Sequence, residues 1–167
     1  MTLKNISTVV IATAALLGFA PSAIAQFKSD AVLAEAAKEP GAKVTASGLV
    51  IRMIKEGKGD QPNAASTVKV HYKGTFPDGK EFDSSYKRNE PIEFPLSGVI
   101  KCWTEGVALM KVGGAAKLTC PSSIAYGARG AGGVIPPNAT LVFEVELLDV
   151  VKPPKGGAAA PAAPKKK

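Results

Sequence analysis

Six aromatic or acidic residues stand where strand-like runs meet loops: Tyr72, Phe82, Asp83, Trp103, Tyr126 and Phe143. Their types suit binding more than bond cleavage. Aromatic faces can grip an apolar group, a Tyr hydroxyl can donate a hydrogen bond, and one carboxylate can fix polar partners around it. The stretch from Tyr126 to Pro137 adds a second sign. Four glycines and two prolines in twelve residues ordinarily mark a polar surface loop, yet this one carries Tyr126, Val134 and Ile135. Apolar side chains on a rigid, proline-ended loop read as the wall of a pocket.

Other chemistries lack their parts. A metal centre needs clustered ligands, but the chain has one histidine, His71, set on the polar face of a strand-like run. The glycines around Gly130 are not followed by the Lys-Ser/Thr of a phosphate-binding loop. A serine or cysteine nucleophile would need a base placed to serve it, and His71 belongs to no evident triad. The residues call for no cofactor and no metal. Asn138-Ala139-Thr140 fits a glycosylation sequon, but Pro137-Asn138 reads as a turn entering a strand.

Alternating runs must position these residues. Gly48 to Ile54 is rich in β-branched residues and ends in the turn cluster Gly57-Lys58-Gly59-Asp60. From Thr67, Val68, Val70 and Tyr72 fall on one face and Lys69, His71 and Lys73 on the other. Pro77-Asp78-Gly79-Lys80 is a strong turn. Ala116, Leu118 and Cys120 alternate with Lys117 and Thr119, and Leu141, Phe143, Val145 and Leu147 alternate with Glu144 and Glu146. Period two with one polar face predicts an antiparallel sheet with one side in water. Only Cys102–Lys111 looks helical within this region, with Trp103, Val107 and Met110 on one stripe. The expected architecture is α+β, a sheet with one short helix across its apolar face.

The order of the motifs is more informative than any one of them. His71-Tyr72-Lys73-Gly74 precedes Asp78-Gly79-Lys80-Glu81-Phe82-Asp83-Ser84-Ser85. Val99-Ile100-Lys101-Cys102-Trp103-Thr104-Glu105-Gly106 follows, then Ala125-Tyr126-Gly127, then Ile135-Pro136-Pro137-Asn138-Ala139-Thr140-Leu141-Val142-Phe143. Over residues 46–150 this series closely resembles the FKBP-type peptidyl-prolyl cis-trans isomerases. The resemblance implies a twisted antiparallel sheet wrapped around one short helix. It implies catalysis of Xaa-Pro isomerisation in unfolded or partly folded proteins; a holdase or peptide-binding module with the same pocket is the alternative. Carried over motif by motif, Trp103 forms the pocket floor and Tyr72, Phe82, Val99, Ile100 and Phe143 its walls. The Tyr126 hydroxyl and the Ile100 backbone N–H donate to ligand carbonyls. Asp83 sits at the rim, accompanied by the basic Arg88, and Val134 and Ile135 overhang the opening. A macrolide is the ligand class the family suggests. Ile92 stands where small family members carry an aromatic residue, the run from Phe94 to Val99 is two residues shorter, and Cys102 replaces a glycine before the tryptophan. These departures bear on macrolide affinity and peptide preference.

The termini read differently. Residues 1–25 combine Lys4, an apolar run from Thr8 to Ala20 and a closing Ala23-Ile24-Ala25, the pattern of a secretory signal peptide cut before Gln26. That run is too short to span a bilayer comfortably, so no membrane span is expected after cleavage. With the family resemblance, the expected destination is the bacterial periplasm. Residues 26–45 hold a short helix capped by Ser29 and stopped by Pro40-Gly41. That segment is too short for the helical dimerisation domain of larger exported family members, so a monomer is expected. Residues 152–167 are Pro, Ala, Gly and Lys without a large apolar side chain and read as a disordered tail. Removing Lys4 and the five tail lysines from the formal charge of +7 leaves +1 for residues 26–151. The basic composition therefore gives no reason to expect a nucleic-acid face on the 46–151 domain. Export also favours a Cys102–Cys120 disulfide, since Cys120 shares the inward face with Leu118 and Cys102 opens the covering helix; two buried thiols are the alternative.

Overall fold

A computed structural model of the protein describes residues 21–151, and side chains from residue 30 onward. The signal-peptide assignment falls mainly on residues 1–20, and the tail assignment on 152–167; both lie outside the described residues. Helix α1 spans Pro21–Lys38. Ser29 therefore lies inside a helix and does not cap it. Its Ala-rich sequence has high helix propensity and meets no glycine or proline before Pro40, so nothing stops it at Ser29. No helix among the described residues is long and apolar enough to cross a membrane.

Seven strands follow: β1 (Ala42–Val44), β2 (Val50–Lys55), β3 (Thr67–Thr75), β4 (Glu81–Ser84), β5 (Ile92–Pro95), β6 (Ala115–Cys120) and β7 (Leu141–Val151). Helix α2 (Lys101–Ala108) lies between β5 and β6. All pairings are antiparallel, in the order β1-β2-β6-β7-β3-β4, with β5 also on β3. β3 is central. β7 runs along its whole length on one side, while β5 and β4 share the other.

The alternation seen in the sequence is the burial pattern of the sheet. Val68, Val70 and Tyr72 of β3 point inward with Leu141, Phe143, Val145 and Leu147 of β7 and Leu118 of β6. α2 crosses this apolar face and buries Cys102, Trp103, Gly106 and Val107. Its stripe continues beyond the helix end, where Met110 is fully buried in the first residues of the loop. Gly106 lets the helix approach closely: a Cβ there would come 2.8 Å from Leu118 Cδ1. Cys102 and Cys120 are joined by a disulfide, with Cα atoms 5.9 Å apart, inside the range that such a bridge requires. It ties the first turn of α2 to the end of β6.

Charges occupy the outer face. Lys69 pairs with Glu93 at 3.3 Å and Lys73 with Glu144 at 3.5 Å, each across neighbouring strands. α1 docks on the β2–β6 part of this face through buried Ala36 and through Glu39, whose carboxylate contacts Lys117 Nζ and Arg52 Nε at 2.6 Å each.

Candidate functional site

An open cavity of about 330 Å³ lies where β3, β4 and β5 meet the start of α2. Trp103, 5% exposed, forms its floor. Three rings hold the indole: Tyr72 and Phe143 stand edge-on at 5.2 and 5.3 Å, and Phe94 leans on it at 5.2 Å. Each comes from a different strand, so the floor exists only when the sheet is assembled. Phe82 of β4 makes a wall, edge-on to Phe143 at 5.7 Å. Val99, Ile100 and Ile92 complete the apolar lining.

Gly74 makes the junction of Phe82 and Phe143 fit. It lies on β3 opposite Asp83 on one side and Phe143 on the other. A Cβ at this position would stand 2.6 Å from Phe82 Cζ and 3.1 Å from Phe143 Cε1. The two rings therefore lie over bare backbone.

Three side chains of the site are joined by polar contacts. The Tyr72 hydroxyl donates to Asp83 Oδ2 at 2.5 Å. Arg88 donates from Nη1 to Asp83 Oδ1 at 2.6 Å and from Nη2 to the Tyr72 oxygen at 3.0 Å. The guanidinium carbon also lies 5.8 Å from the centre of the Tyr72 ring, a cation–π distance. These three residues form a closed triangle. Burial raises the Asp83 carboxyl pKa, but hydrogen bonds from Tyr72 and Arg88 outweigh it and hold the pKa below its ordinary value. Burial, reinforced by the hydrogen bond to Asp83, pushes the Tyr72 phenol up to about 12. The pair thus consists of a neutral phenol and a carboxylate at neutral pH.

Two donors complete the rim. Tyr126 is 38% exposed, lines the cavity, and makes no hydroxyl hydrogen bond among the described residues. Burial and the nearby charge of Asp83 raise its pKa, so it too remains a protonated donor. Ile100 is the N-cap of α2; its carbonyl accepts from Trp103 N at 2.9 Å and Thr104 N at 3.2 Å. Its backbone N–H belongs to a lining residue at the positive end of that helix.

This arrangement can bind an apolar ring, hold a carbonyl through hydrogen bonds and exclude water. His71 lies outside it. Its Nδ1 is 2.9 Å from Ser85 Oγ, and its ring stacks on Tyr86 at 4.7 Å. Among the described residues, no three His, Cys, Asp or Glu side chains gather as metal ligands.

The family model for FKBP-type peptidyl-prolyl cis-trans isomerases matches residues 58–148, more than half of the chain. The chain belongs to this family. It is 55% identical over 122 residues to FKBP-type peptidyl-prolyl cis-trans isomerase FkpA of Escherichia coli (strain K12), covering 73% of this chain and 45% of that protein. It is 60% identical over 103 residues to FK506-binding protein 1 of Dictyostelium discoideum, covering 60% of this chain and 96% of that protein. The crystal structure of FkpA from Escherichia coli superposes with a TM-score of 0.74 and 51% identity, covering 77% of this chain and 60% of that one. A peptidyl-prolyl cis-trans isomerase from Pseudomonas syringae matches with the same TM-score and 39% identity, over 80% of this chain and 98% of its own. The chain spans about half the length of the FkpA proteins it resembles.

Within this FKBP-type fold, the expected residues fall into two groups. Tyr72, Phe82, Asp83, Val99, Ile100, Trp103, Tyr126 and Phe143 all line the cavity. Arg88 stands behind them, holding Tyr72 and Asp83. Val134 and Ile135 do not reach the lining. The loop closes on itself, with Ala131 and Ile135 exchanging backbone hydrogen bonds at 3.0 Å. Ile135 turns inward to 8% exposure, and Val134 turns outward at 57%, toward a separate groove. Phe94, Ile92 and Gly98 also line the cavity; Ile92 enters the sequence reading as a departure from the family pattern that bears on ligand affinity, while Phe94 and Gly98 carry no site assignment there. Phe94 and Ile92 carry a period-two signal in the short run Ile92–Pro95, which could have marked them as strand residues beside Val68 and Val70.

Proposed function

We propose that this protein accelerates cis-trans isomerisation of Xaa-Pro bonds in unfolded or partly folded polypeptides. The observation that carries the proposal is a cavity lined by the rings of Phe82, Phe94, Trp103 and Phe143, with Tyr72, Asp83 and Tyr126 beside them, in a chain of this family. An Xaa-Pro bond turns over in about 10–100 s unaided because rotation breaks amide resonance. Catalysis here requires neither a nucleophile nor a metal. The proline ring enters between Phe82, Phe143 and Trp103, and water leaves the amide. The twisted amide has less charge separation than the planar one, so an apolar surround favours it over the ground state. The Tyr126 hydroxyl and the Ile100 N–H hold substrate carbonyls, and the ionised Asp83, fixed by Tyr72 and Arg88, supplies a permanent dipole at the rim.

The same reading extends to setting and partners. Residues 1–25 act as a signal peptide, the bacterial periplasm is the destination, and the exported protein is a monomer. Its partners are proline-containing proteins before they finish folding. A macrolide competes for the cavity, in keeping with the name of the Dictyostelium relative.

The test is an isomerisation assay on short peptides with varied residues before proline. Acceleration that falls strongly in Phe82→Ala supports the proposal. No acceleration across the panel, together with suppression of aggregation of a proline-free client, would replace it with the holdase reading.

A further inference from the structure

A second recess adjoins the catalytic cavity. It is a groove of about 800 Å³, larger than the cavity itself. Ala31 and Val32 of α1, Phe76 and Pro77 after β3, and Val134 and Pro136 of the glycine-rich loop line it. The surface is mainly apolar, and Val134 is 57% exposed there. A single apolar side chain left in water is common, but a concave apolar surface built from three separate segments is not. Its edge carries one charge of each sign, Asp78 and Lys80, and the Asp78 carboxylate is occupied by the Lys80 backbone N–H at 2.9 Å. Among the described lining residues, charge is balanced and most of the contact surface is apolar.

Two rings in contact link groove and cavity. Phe76 leans on Phe82 with centroids 5.1 Å apart, and Phe82 meets Phe143 at 5.7 Å. Phe82 is a cavity wall and Phe76 is a groove wall. The 124–140 region is divided in the same way, with Tyr126 on the cavity side and Val134 on the groove side. The path from Phe143 through Phe82 to Phe76 is about 11 Å between ring centroids, and an extended chain advancing about 3.3 Å per residue crosses it and enters each recess in about three to five residues.

We propose that this groove is a second substrate subsite, taking an apolar side chain of an unfolded polypeptide about three to five residues from the proline held in the cavity. The proposal rests on the isomerase reading of the cavity. Its occupant follows from continuity: one extended chain in the cavity has the groove within reach across Phe82 and Phe76. The substrate class is therefore an exposed proline flanked at short range by a large apolar residue. Segments of that composition are buried in folded proteins and exposed before folding completes.

The experiment uses the full chain and three peptides of about ten residues, each with a single Ala-Pro bond. One has no large apolar residue, one has Phe four positions before the proline, and one has Phe four positions after it. Line-shape or exchange NMR gives kcat and KM for each. One of the two Phe peptides is expected to show a KM lower by about three-fold or more, from partial burial of the ring. Ala31→Glu and Val32→Ser, both on α1 and away from the cavity, are expected to remove that gain and to leave turnover of the Phe-free peptide unchanged. Circular dichroism checks that α1 is retained. Equal KM values for the three peptides overturn the proposal, as does a gain that survives both substitutions. If the wild type accelerates no peptide at all, the isomerase reading fails and the subsite fails with it.

Discussion

The Tyr72 hydroxyl donates to Asp83 Oδ2 at 2.5 Å, joining the central strand β3 to its neighbour β4 directly over the cavity mouth. This bond keeps the carboxylate ionised and fixed in direction, with Arg88 closing the other side. Asp83→Asn removes the charge and keeps the shape. It is expected to lower kcat/KM by about ten-fold, about 1.4 kcal/mol of transition-state binding, and to lower the melting temperature modestly, because the ionised carboxylate also stabilises the fold. Arg88→Ala is expected to have a smaller effect in the same direction. Peptide kinetics with melting curves on both variants check this.

The pH dependence of stability has two edges. Asp83 is held below its ordinary 3.8, and Glu39, through hydrogen bonding to Lys117, below its ordinary 4.5. A depressed folded pKa stabilises the protein above the unfolded value and loses that contribution as pH falls through the folded one. Stability is therefore expected to decline below about pH 4.5, and Glu39→Gln should flatten the upper part of that decline. Tyr72 shows the opposite case, raised from 10.0 to about 12. Its contribution is intact below 10 and is lost as pH rises towards 12, because the unfolded phenol ionises first. Denaturation midpoints across pH, with Tyr72→Phe as reference, measure both edges.

The Cys102–Cys120 bridge closes a short loop, with a sequence separation of 18. Replacing both cysteines by alanine is expected to cost about 3 kcal/mol, chiefly by releasing the unfolded chain, with any native strain reducing the figure. Urea titration of the double variant against the oxidised wild type gives the value. Added reductant should shift the wild type towards the variant.

Phe82 and Tyr126 separate grip from hydrogen bonding. Phe82→Ala opens the wall against Phe143 and should lower kcat/KM by at least ten-fold, about 1.4 kcal/mol or more of transition-state binding. Tyr126→Phe keeps the ring and removes one donor, so its loss should be smaller. The order of the two effects, measured on one peptide, is the test. The reverse order would mean that the hydroxyl contributes more than the pocket.

Residues 153–167 contribute no large apolar side chain, and β7 closes the sheet at Val151. Truncation after Lys152 is expected to change neither the melting temperature nor the rate on short peptides. A large fall in either would show that the tail packs on the domain.

The sheet and the covering helix were legible because their signal is periodic. Val68, Val70 and Tyr72, or Leu141, Phe143 and Val145, alternate for long enough to declare an inner face. The cavity lining was legible through ordered motifs, since Tyr72, Phe82, Trp103 and Phe143 are far apart in sequence and meet only through strand pairing. β5 is harder to read as a strand, because in four residues ending in proline the period-two signal rests on Ile92 and Phe94 alone. The same shortness leaves Phe94 without a site assignment, whereas Ile92 is marked by its departure from the family pattern. The orientation of Val134 was missed for a different reason. A loop with positive φ at Gly127, Gly130, Gly132 and Gly133 can aim its side chains either way, and only the backbone exchange between Ala131 and Ile135 decides. The extent of α1 was underestimated because a serine inside an alanine-rich run looks like a cap.

Gly74 has an implication for how variation in this chain should be interpreted. It has no side chain to offer a substrate, yet the rings of Phe82 and Phe143 rest where its Cβ would be. A substitution there would register in a stability screen as a strand defect and in an activity screen as a site defect, from a single cause. Such a position would be discarded as merely structural by any survey that scores residues by distance from ligand atoms. The missing methyl is part of the binding surface, as a mould is part of the casting.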